Sequence, residues 1–257
     1  MKGTPTTAAS PSTAHYNLRY IWLISLVAAM GGLLFGYDWV VIGGAKPFFE
    51  PFFRLASEEA RGWANSCALL GCLGGALFVG ALSDLFGRKR LLIVSALLFA
   101  VSSVLTGWAS TFHWFVAWRI LGGVAIGMAS GLSPMYIAEV APAHLRGRLV
   151  AINQLTIVIG VLAAQVVNWL IARPVPDNAT ADLIRESWNA QYGWRWMFTA
   201  VTAPSLLFFV GSLLIPESPR WLVKSGRADR ARDILTRIGG VAYGTAEVLD
   251  IQDTLAR

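Results

Sequence analysis

Six apolar segments of about 20 residues each constrain the fold of this sequence more than any other feature. They cover residues 19–42, 62–83, 91–110, 112–134, 149–171 and 197–215. A helix of about 20 apolar residues is long enough to cross the hydrocarbon core of a bilayer. Only 14% of the residues are charged, whereas a soluble domain carries about 25%. The pattern predicts an all-α membrane protein with six spans and argues against a soluble enzyme.

The distribution of Lys and Arg predicts the orientation of the spans. If the N-terminus is inside, fourteen of the 21 basic residues lie in inner segments and six lie in outer segments, while Arg119 lies within the fourth span. Basic residues accumulate on the cytoplasmic side of membrane proteins. We therefore expect a multi-pass protein of the cell membrane, the inner membrane in a bacterium, with both termini in the cytoplasm.

The two ends of the sequence differ from the apolar bundle predicted over residues 18–215. Residues 1–17 are rich in Ser, Thr, Pro and Ala, which is typical of a disordered tail. Residues 216–257 are polar and basic, with apolar residues at helical spacing. They predict a cytosolic helical linker of two or three short helices, with Thr245 as the N-cap of the last one.

The net charge of +6 does not predict nucleic-acid binding. The basic residues lie in short runs between apolar segments, so membrane topology accounts for them. Three scattered His residues and two Cys residues within one apolar segment form no metal-ligand pattern. We expect no cofactor, no metal site and no catalytic residues, and we expect the lipid bilayer to surround the protein.

Two ionisable residues lie inside apolar segments. Asp38 is near the outer end of the first span, and Arg119 is near the outer end of the fourth, so the two side chains can meet. An unpaired charge in a bilayer costs several kcal/mol, and an ion pair facing a wet cavity costs far less. One interpretation is a static ion pair that fixes two helices. The other is a proton switch, because an apolar site favours the neutral acid and a nearby arginine favours the carboxylate.

The fifth span carries a stripe of amide side chains. Gln154, Gln165 and Asn168 fall within about 60° on one face of a helix. An amide both donates and accepts hydrogen bonds, which suits a ligand rich in hydroxyl groups. The stripe therefore indicates either a site for such a ligand or hydrogen bonding between helices.

Glycines recur four residues apart in the second and fourth spans. The residues are Gly71 and Gly75, followed by Gly123, Gly127 and Gly131. This spacing lets helix backbones approach closely. We expect tight packing along these faces, with sliding of the faces past one another as the alternative.

Six sequence motifs point to one protein family. GALSDLFGRKR follows the second span, PMYIAEVAPAHLRGRL joins the fourth to the fifth, and PESPRWL follows the sixth. Further motifs are GGLLFGYD, WRILGG and INQL, which begin at Gly31, Trp118 and Ile152. Together they resemble the sugar porter family of the major facilitator superfamily, from Leu18 over nearly the whole chain. The similarity is greatest to the bacterial D-xylose–proton symporters, whose relatives include facilitative glucose transporters.

The resemblance implies monosaccharide–proton symport by alternating access, with a pentose or hexose as the substrate. By position, Asp38 matches the proton-coupling carboxylate and Arg119 its partner. Gln154 matches a sugar-binding glutamine, and Phe35 matches an aromatic residue that lines the sugar cavity. An inner charge network, which locks the inner side while the outer side is open, is implied for Asp84, Arg88, Glu139, Arg146, Glu217 and Arg220.

Two positions depart from the family pattern, and the length does so as well. Val161 stands where the xylose symporters have a second glutamine, and Val201 stands where they have a glutamate. Uncoupled facilitative transport therefore stays open as an alternative.

Complete members have about twelve spans in two halves, with the substrate between them. We expect a six-helix N-terminal half, built as two inverted three-helix repeats, whose partner is a C-terminal six-span half. An inactive half or a sensor is the further alternative, and the sequence does not identify the sugar.

Overall fold

The structure, a computed structural model, describes residues 16–176 and 179–256. Most of the predicted N-terminal tail lies outside these residues. Within the described part, all regular structure is helical, and six helical segments are long and apolar enough to cross a bilayer. The all-α, six-helix architecture is therefore confirmed. The described residues divide into a bundle unit within Trp22–Ser218 and a terminal unit formed by residues 16–21 and 219–256.

Five of the six membrane-capable segments are uninterrupted helices. They are α1 (Leu18–Phe52), α2 (Glu58–Phe86), α3 (Arg88–Gly107), α4 (Phe112–Val140) and α5 (Ala143–Ile171). A short helix, α6 (Ala181–Glu186), precedes the sixth segment. That segment begins with a π-helical stretch (Asn189–Gly193) and continues as α7 (Trp194–Ala200) and α8 (Thr202–Leu214).

Local sequence signals account for the helix ends. Ser57 caps α2 by accepting a hydrogen bond from the backbone N–H of Ala60 at 3.2 Å. Thr111 caps α4 in the same way, accepting from the N–H of Trp114 at 3.5 Å. Gly87 separates α2 from α3 with a φ of 96°, a conformation that a residue with a Cβ rarely adopts. The chain reverses sharply there, which places the end of α2 beside the start of α3.

The glycines of α2 and α4 form a close helix contact, as the four-residue spacing predicts. At four positions a Cβ would overlap a backbone carbonyl oxygen of the facing helix. The glycine–carbonyl pairs are Gly71–Ile120, Gly75–Val124, Gly123–Ala68 and Gly127–Cys72. Contact at Gly131 is looser, since a Cβ there would lie 3.1 Å from Cγ1 of Val79. We call the α2–α4 contact made by these four pairs the first glycine seam.

A second glycine seam joins α1 to α5. A Cβ on Gly36 would overlap the carbonyl oxygen of Ile157, and a Cβ on Gly160 would overlap that of Leu33. Thr156 of α5 also donates a hydrogen bond to the carbonyl oxygen of Ala29 at 2.7 Å. In two inverted three-helix repeats, the first and second helices of one repeat correspond to the first and second helices of the other. That correspondence maps the α2–α4 contact onto the α5–α1 contact, so the two seams are symmetry equivalents.

The terminal unit contains three helices, α9 (Pro219–Lys224), α10 (Ala228–Gly239) and α11 (Val241–Ala256). The expectation of two or three short helices is met. Asn17, placed in the tail by the sequence, donates its N–H to the carbonyl oxygen of Ile238 at 2.8 Å and accepts at Oδ1 from the N–H of Tyr20 at 3.2 Å. It therefore acts as the N-cap of α1 within this unit.

The prediction that Thr245 caps the last helix is wrong. Gly240 ends α10 with a φ of 88°, and α11 begins at the next residue, Val241. Thr245 lies inside α11, where its hydroxyl donates to the carbonyl oxygen of Val241 at 3.1 Å. A single glycine is sufficient to reverse the chain, so no loop precedes Thr245.

The adjacent glycines of α2 provide a matched test of the first seam. We expect Gly75→Ala to lower the free energy of unfolding by about 1–3 kcal/mol, because the new Cβ meets the backbone of α4. Gly74→Ala is the control, since a Cβ there has no described atom within 4 Å. It should leave stability unchanged or raise it by up to about 1 kcal/mol, because alanine favours helix more than glycine does. Thermal unfolding of both variants in detergent checks this. Equal losses of stability in the two variants would contradict the close contact of α2 with α4 at Gly75.

Candidate functional site

The two ionisable residues of the apolar segments meet inside the bundle unit. Nη1 of Arg119, on α4, donates to Oδ1 of Asp38, on α1, at 2.5 Å. The side chains are only 5% and 8% exposed, respectively. Each charge therefore relies on the other, because a lone buried charge would lack the stabilisation that water gives.

An aromatic cluster packs against this ion pair. The ring of Phe198, on α7, lies 5.4 Å from Cζ of Arg119. Phe198 in turn contacts Phe115 and Trp194, with ring centroids 5.8 and 6.3 Å apart, and all three rings are buried. A cation over an aromatic face is attracted to the ring, and the cluster keeps water away from that side of the pair. The sixth span itself carries no Asp or Glu over residues 189–214, and Val201 is buried.

Sequence analysis did not identify the aromatic cluster. Its signal is the four-residue spacing of Phe115 and Arg119 on α4 and of Trp194 and Phe198 on α7, which puts each pair on one helix face. Tryptophans near span ends are usual at membrane interfaces, so residue type and position alone do not mark Trp194 as buried.

The three amides of the fifth span have different surroundings. Asn168 is buried, and its Nδ2 donates to the carbonyl oxygens of Val41 and Val40 on α1 at 3.4 and 3.5 Å. Hydrogen bonding between helices, one of the two interpretations, therefore accounts for the donor side of Asn168. Its Oδ1 has no hydrogen-bond partner among the described residues. Gln154 and Gln165 are exposed on the surface of α5.

Phe35 lies on α1, one turn before Asp38. It is half-buried, and its ring centroid lies 6.1 Å from that of Trp39, which is 50% exposed. The α1 segment that carries the buried acid thus also presents two partly exposed aromatic rings.

A charge cluster lies where α2 ends, α3 begins and α4 ends. Arg88, 8% exposed, places Nη1 2.9 Å from Oδ1 of Asp84 and Nε 3.1 Å from Oε2 of Glu139. Nη1 of Arg88 also donates to the carbonyl oxygen of Ser83 at 3.0 Å. One guanidinium therefore holds the ends of three helices together. We call this the Arg88 cluster.

The segment after the sixth span extends the Arg88 cluster. Ser218 donates its hydroxyl to Oε2 of Glu139. Oε1 of Glu217 accepts from the backbone N–H groups of Lys89 and Ser218, both at 2.9 Å. The sequence identified Glu217 but not Ser218 or the N–H of Lys89. A backbone N–H is present in nearly every residue, so residue type does not show which one donates a hydrogen bond.

Two further residues of the predicted inner charge network, Arg146 and Arg220, are exposed. Arg146 belongs to the bundle unit, and the described ion pairs of Arg88 do not include it. Arg220 belongs to the terminal unit. The structure brings together Asp84, Arg88, Glu139 and Glu217.

The buried ion pair can be tested by a double-mutant cycle. We expect Arg119→Gln to lower the free energy of unfolding by about 3–5 kcal/mol, because it leaves the Asp38 carboxylate buried without a partner. Adding Asp38→Asn to that variant should recover part of the loss, because no charge then remains. The measurement is denaturant unfolding of both single variants and the double variant. Additive losses would show that the pair does not form.

Comparison with known proteins identifies the family. The model of the Sugar (and other) transporter family matches residues 24–257. A glucose transport protein of a Synechocystis species is 43% identical over 234 residues, a match that covers 91% of this chain and 49% of that protein. The D-xylose-proton symporter of Escherichia coli is 39% identical over 265 residues, covering 93% of this chain and 52% of the symporter.

A solved structure agrees with these matches. It is that of the major facilitator superfamily proton:xylose symporter XylE bound to 6-bromo-6-deoxy-D-glucose. The two folds superpose with a TM-score of 0.86 at 39% identity, over 94% of this chain and 54% of that one. The chain thus spans about half the length of the relatives that it matches. It belongs to the sugar transporter family of the major facilitator superfamily.

Proposed function

We propose that this chain is the N-terminal half of a sugar–proton symporter. The observation that carries the proposal is the buried Asp38–Arg119 ion pair, an ionisable acid held within an apolar bundle. The relatives, which include a D-xylose-proton symporter, are about twice as long as the chain. The complete transporter accordingly needs a C-terminal six-span half, and the sugar binds between the two halves.

Protonation of Asp38 supplies the coupling step. A neutral Asp38 no longer attracts Arg119 as a counter-ion, so the contact between α1 and α4 weakens when the proton binds. In this structure Arg119 has the ring of Phe198 as a second neighbour, 5.4 Å from its Cζ. A proton taken up from the outside and released to the inside thereby alternates α1 and α4 between two arrangements. The glycine seams allow such movement, because no side chain lies between the backbones.

The sugar contacts of this half lie on α5 and α1. Gln154 and Gln165 are exposed amides that can donate to and accept from the hydroxyl groups of a pentose or hexose. Phe35 offers a half-buried aromatic ring on α1. For Asn168 only Oδ1 remains for a ligand, since its Nδ2 bonds to α1.

The Arg88 cluster serves as the inner lock. Alternating access requires charges on neighbouring helix ends that pair in one state and separate in the other. Arg88, Asp84 and Glu139 come from three helix ends and are paired in this structure. We place this end of the bundle and both termini in the cytoplasm, in the cell membrane, because of the excess of Lys and Arg in those segments.

Replacement of Asp38 tests coupling. In the complete transporter, reconstituted in proteoliposomes, Asp38→Asn should abolish sugar accumulation driven by a proton gradient, because the side chain can no longer bind and release a proton. Exchange of labelled for unlabelled sugar across the same membranes needs no net proton movement, and it should continue. Both rates are measured by uptake of radiolabelled sugar.

The opposite outcomes identify the alternatives. Accumulation that persists unchanged in Asp38→Asn contradicts the proposed coupling role. A wild-type transporter that equilibrates sugar without accumulating it is an uncoupled facilitator, the function that the missing acid at Val201 favours. A protein that binds sugar and shows no exchange is a sensor or an inactive half.

Neighbouring amides on α5 test the sugar site. Gln154→Ala in the complete transporter should raise the sugar Kd about 2- to 10-fold, the effect of losing one neutral hydrogen bond. The control is Asn153→Ala, since Asn153 is buried beside Gly32 of α1 and does not share the exposed face. Isothermal titration calorimetry gives both values. Equal changes in Kd for the two variants would show that Gln154 does not bind the sugar.

A further inference from the structure

A small cavity lies beside the ion pair, between α1, α2 and α4. Its volume is about 30 Å³, and roughly 10–15 Å³ is enough to hold one water molecule. Asp38 and Arg119 form part of its wall, and α2 forms much of the rest. The α2 residues at the wall are Asn65, Ala68, Leu69 and Cys72.

Arg119 lacks one hydrogen-bond acceptor at this wall. Its Nη1 bonds to Asp38, but its Nε has no hydrogen-bond partner among the described residues and is inaccessible to bulk solvent. A buried donor of a charged group is costly to leave without an acceptor. A water molecule in the adjoining cavity would supply that acceptor, and enough polar groups line the cavity to hold it.

Polar groups continue from the ion pair along α2. Asn65 carries an amide at the cavity wall, whose Nδ2 donates to the carbonyl oxygen of Arg61 at 2.7 Å. Cys72 is half-buried at the wall. The other groups that titrate or carry charge near Asp38 are Arg119 and the thiol of Cys67. The sixth span brings the aromatic ring of Phe198 to the pair.

We propose that this cavity holds water that hydrogen-bonds to Nε of Arg119, and that protons reach Asp38 through it along α2, past Asn65. The site takes water or hydronium as its ligand. No residue of the aromatic cluster lines the cavity, whereas four residues of α2 do, so α2 is the hydrated side. The water site stands on the geometry alone, whereas the proton route rests on the proposed symport.

The two cysteines of α2 provide a matched test. Cys72 lines the cavity, whereas Cys67, five residues earlier, is fully buried and donates its thiol to the carbonyl oxygen of Ala64 at 3.6 Å. In the complete transporter, Cys67→Ser leaves only Cys72 on α2, and Cys72→Ser leaves only Cys67. The probe is Ag⁺, a small hydrated cation that forms a silver–sulfur bond and releases the thiol proton. Mass spectrometry after alkylation in denaturant reports the fraction of each thiol that silver protected.

We expect Ag⁺ to protect Cys72 roughly tenfold faster than Cys67, because only Cys72 faces a hydrated path. If Ag⁺ protected Cys72 as slowly as Cys67, the water site would be overturned. It would also be overturned if Cys72 reacted with the apolar reagent N-ethylmaleimide but not with Ag⁺. If Cys67→Ser fails to fold, Cys67→Ala replaces it.

A second measurement tests the proton route. Asn65→Leu should slow proton-driven sugar accumulation while sugar exchange continues at the wild-type rate, because the apolar side chain interrupts the polar path. Unchanged accumulation in Asn65→Leu overturns the route. Failure of the symport proposal is a separate result, since Asp38→Asn would then accumulate sugar while Ag⁺ still protected Cys72.

Discussion

The ion pair between Asp38 and Arg119 sets the conditions that the rest of the bundle has to meet. Two opposite charges lie in a segment of apolar helices with side chains that are almost fully buried. They can stay there only if α1 and α4 are held at a distance where the guanidinium reaches the carboxylate. A bundle in which either helix were displaced by a few ångströms would leave two unpaired charges away from water.

The glycine seams hold each of these two helices against a neighbouring helix without rigid side-chain packing. The first seam brings α2 against α4, and the second brings α1 against α5, with backbone facing backbone in both. The inverted repeat makes the two contacts equivalent, so one packing solution is used twice. At the other end of the bundle, the Arg88 cluster joins three helix ends by charge rather than by shape. We infer that protonation of Asp38 and opening of the Arg88 cluster act on opposite ends of α4, which carries both Arg119 and Glu139.

The sequence predicts features that appear as an unusual residue type in a regular background. Charges in apolar spans identified Asp38 and Arg119, and spacing of four identified the glycines of the first seam but not Gly36 and Gly160 of the second. Features that depend on direction or on backbone atoms were not predictable in this way. Helical geometry placed Asn168 with Gln154 on one face, but a 60° range is wide enough for one amide to face α1 while another is exposed. The contact of Glu217 with the N–H of Lys89 and the early start of α11 depend on the backbone, which residue types do not report.

The central claim is that Asp38 changes its protonation state within the bundle, and infrared difference spectroscopy measures this directly. Lowering the pH over reconstituted wild-type transporter should produce a carbonyl-stretch band of a protonated carboxylic acid in an apolar site. The same band should be absent from Asp38→Asn, with the bands of the exposed carboxylates unchanged. A band that persists in Asp38→Asn, or a wild-type spectrum in which no buried acid becomes protonated, would contradict the account and leave the ion pair a static link between α1 and α4.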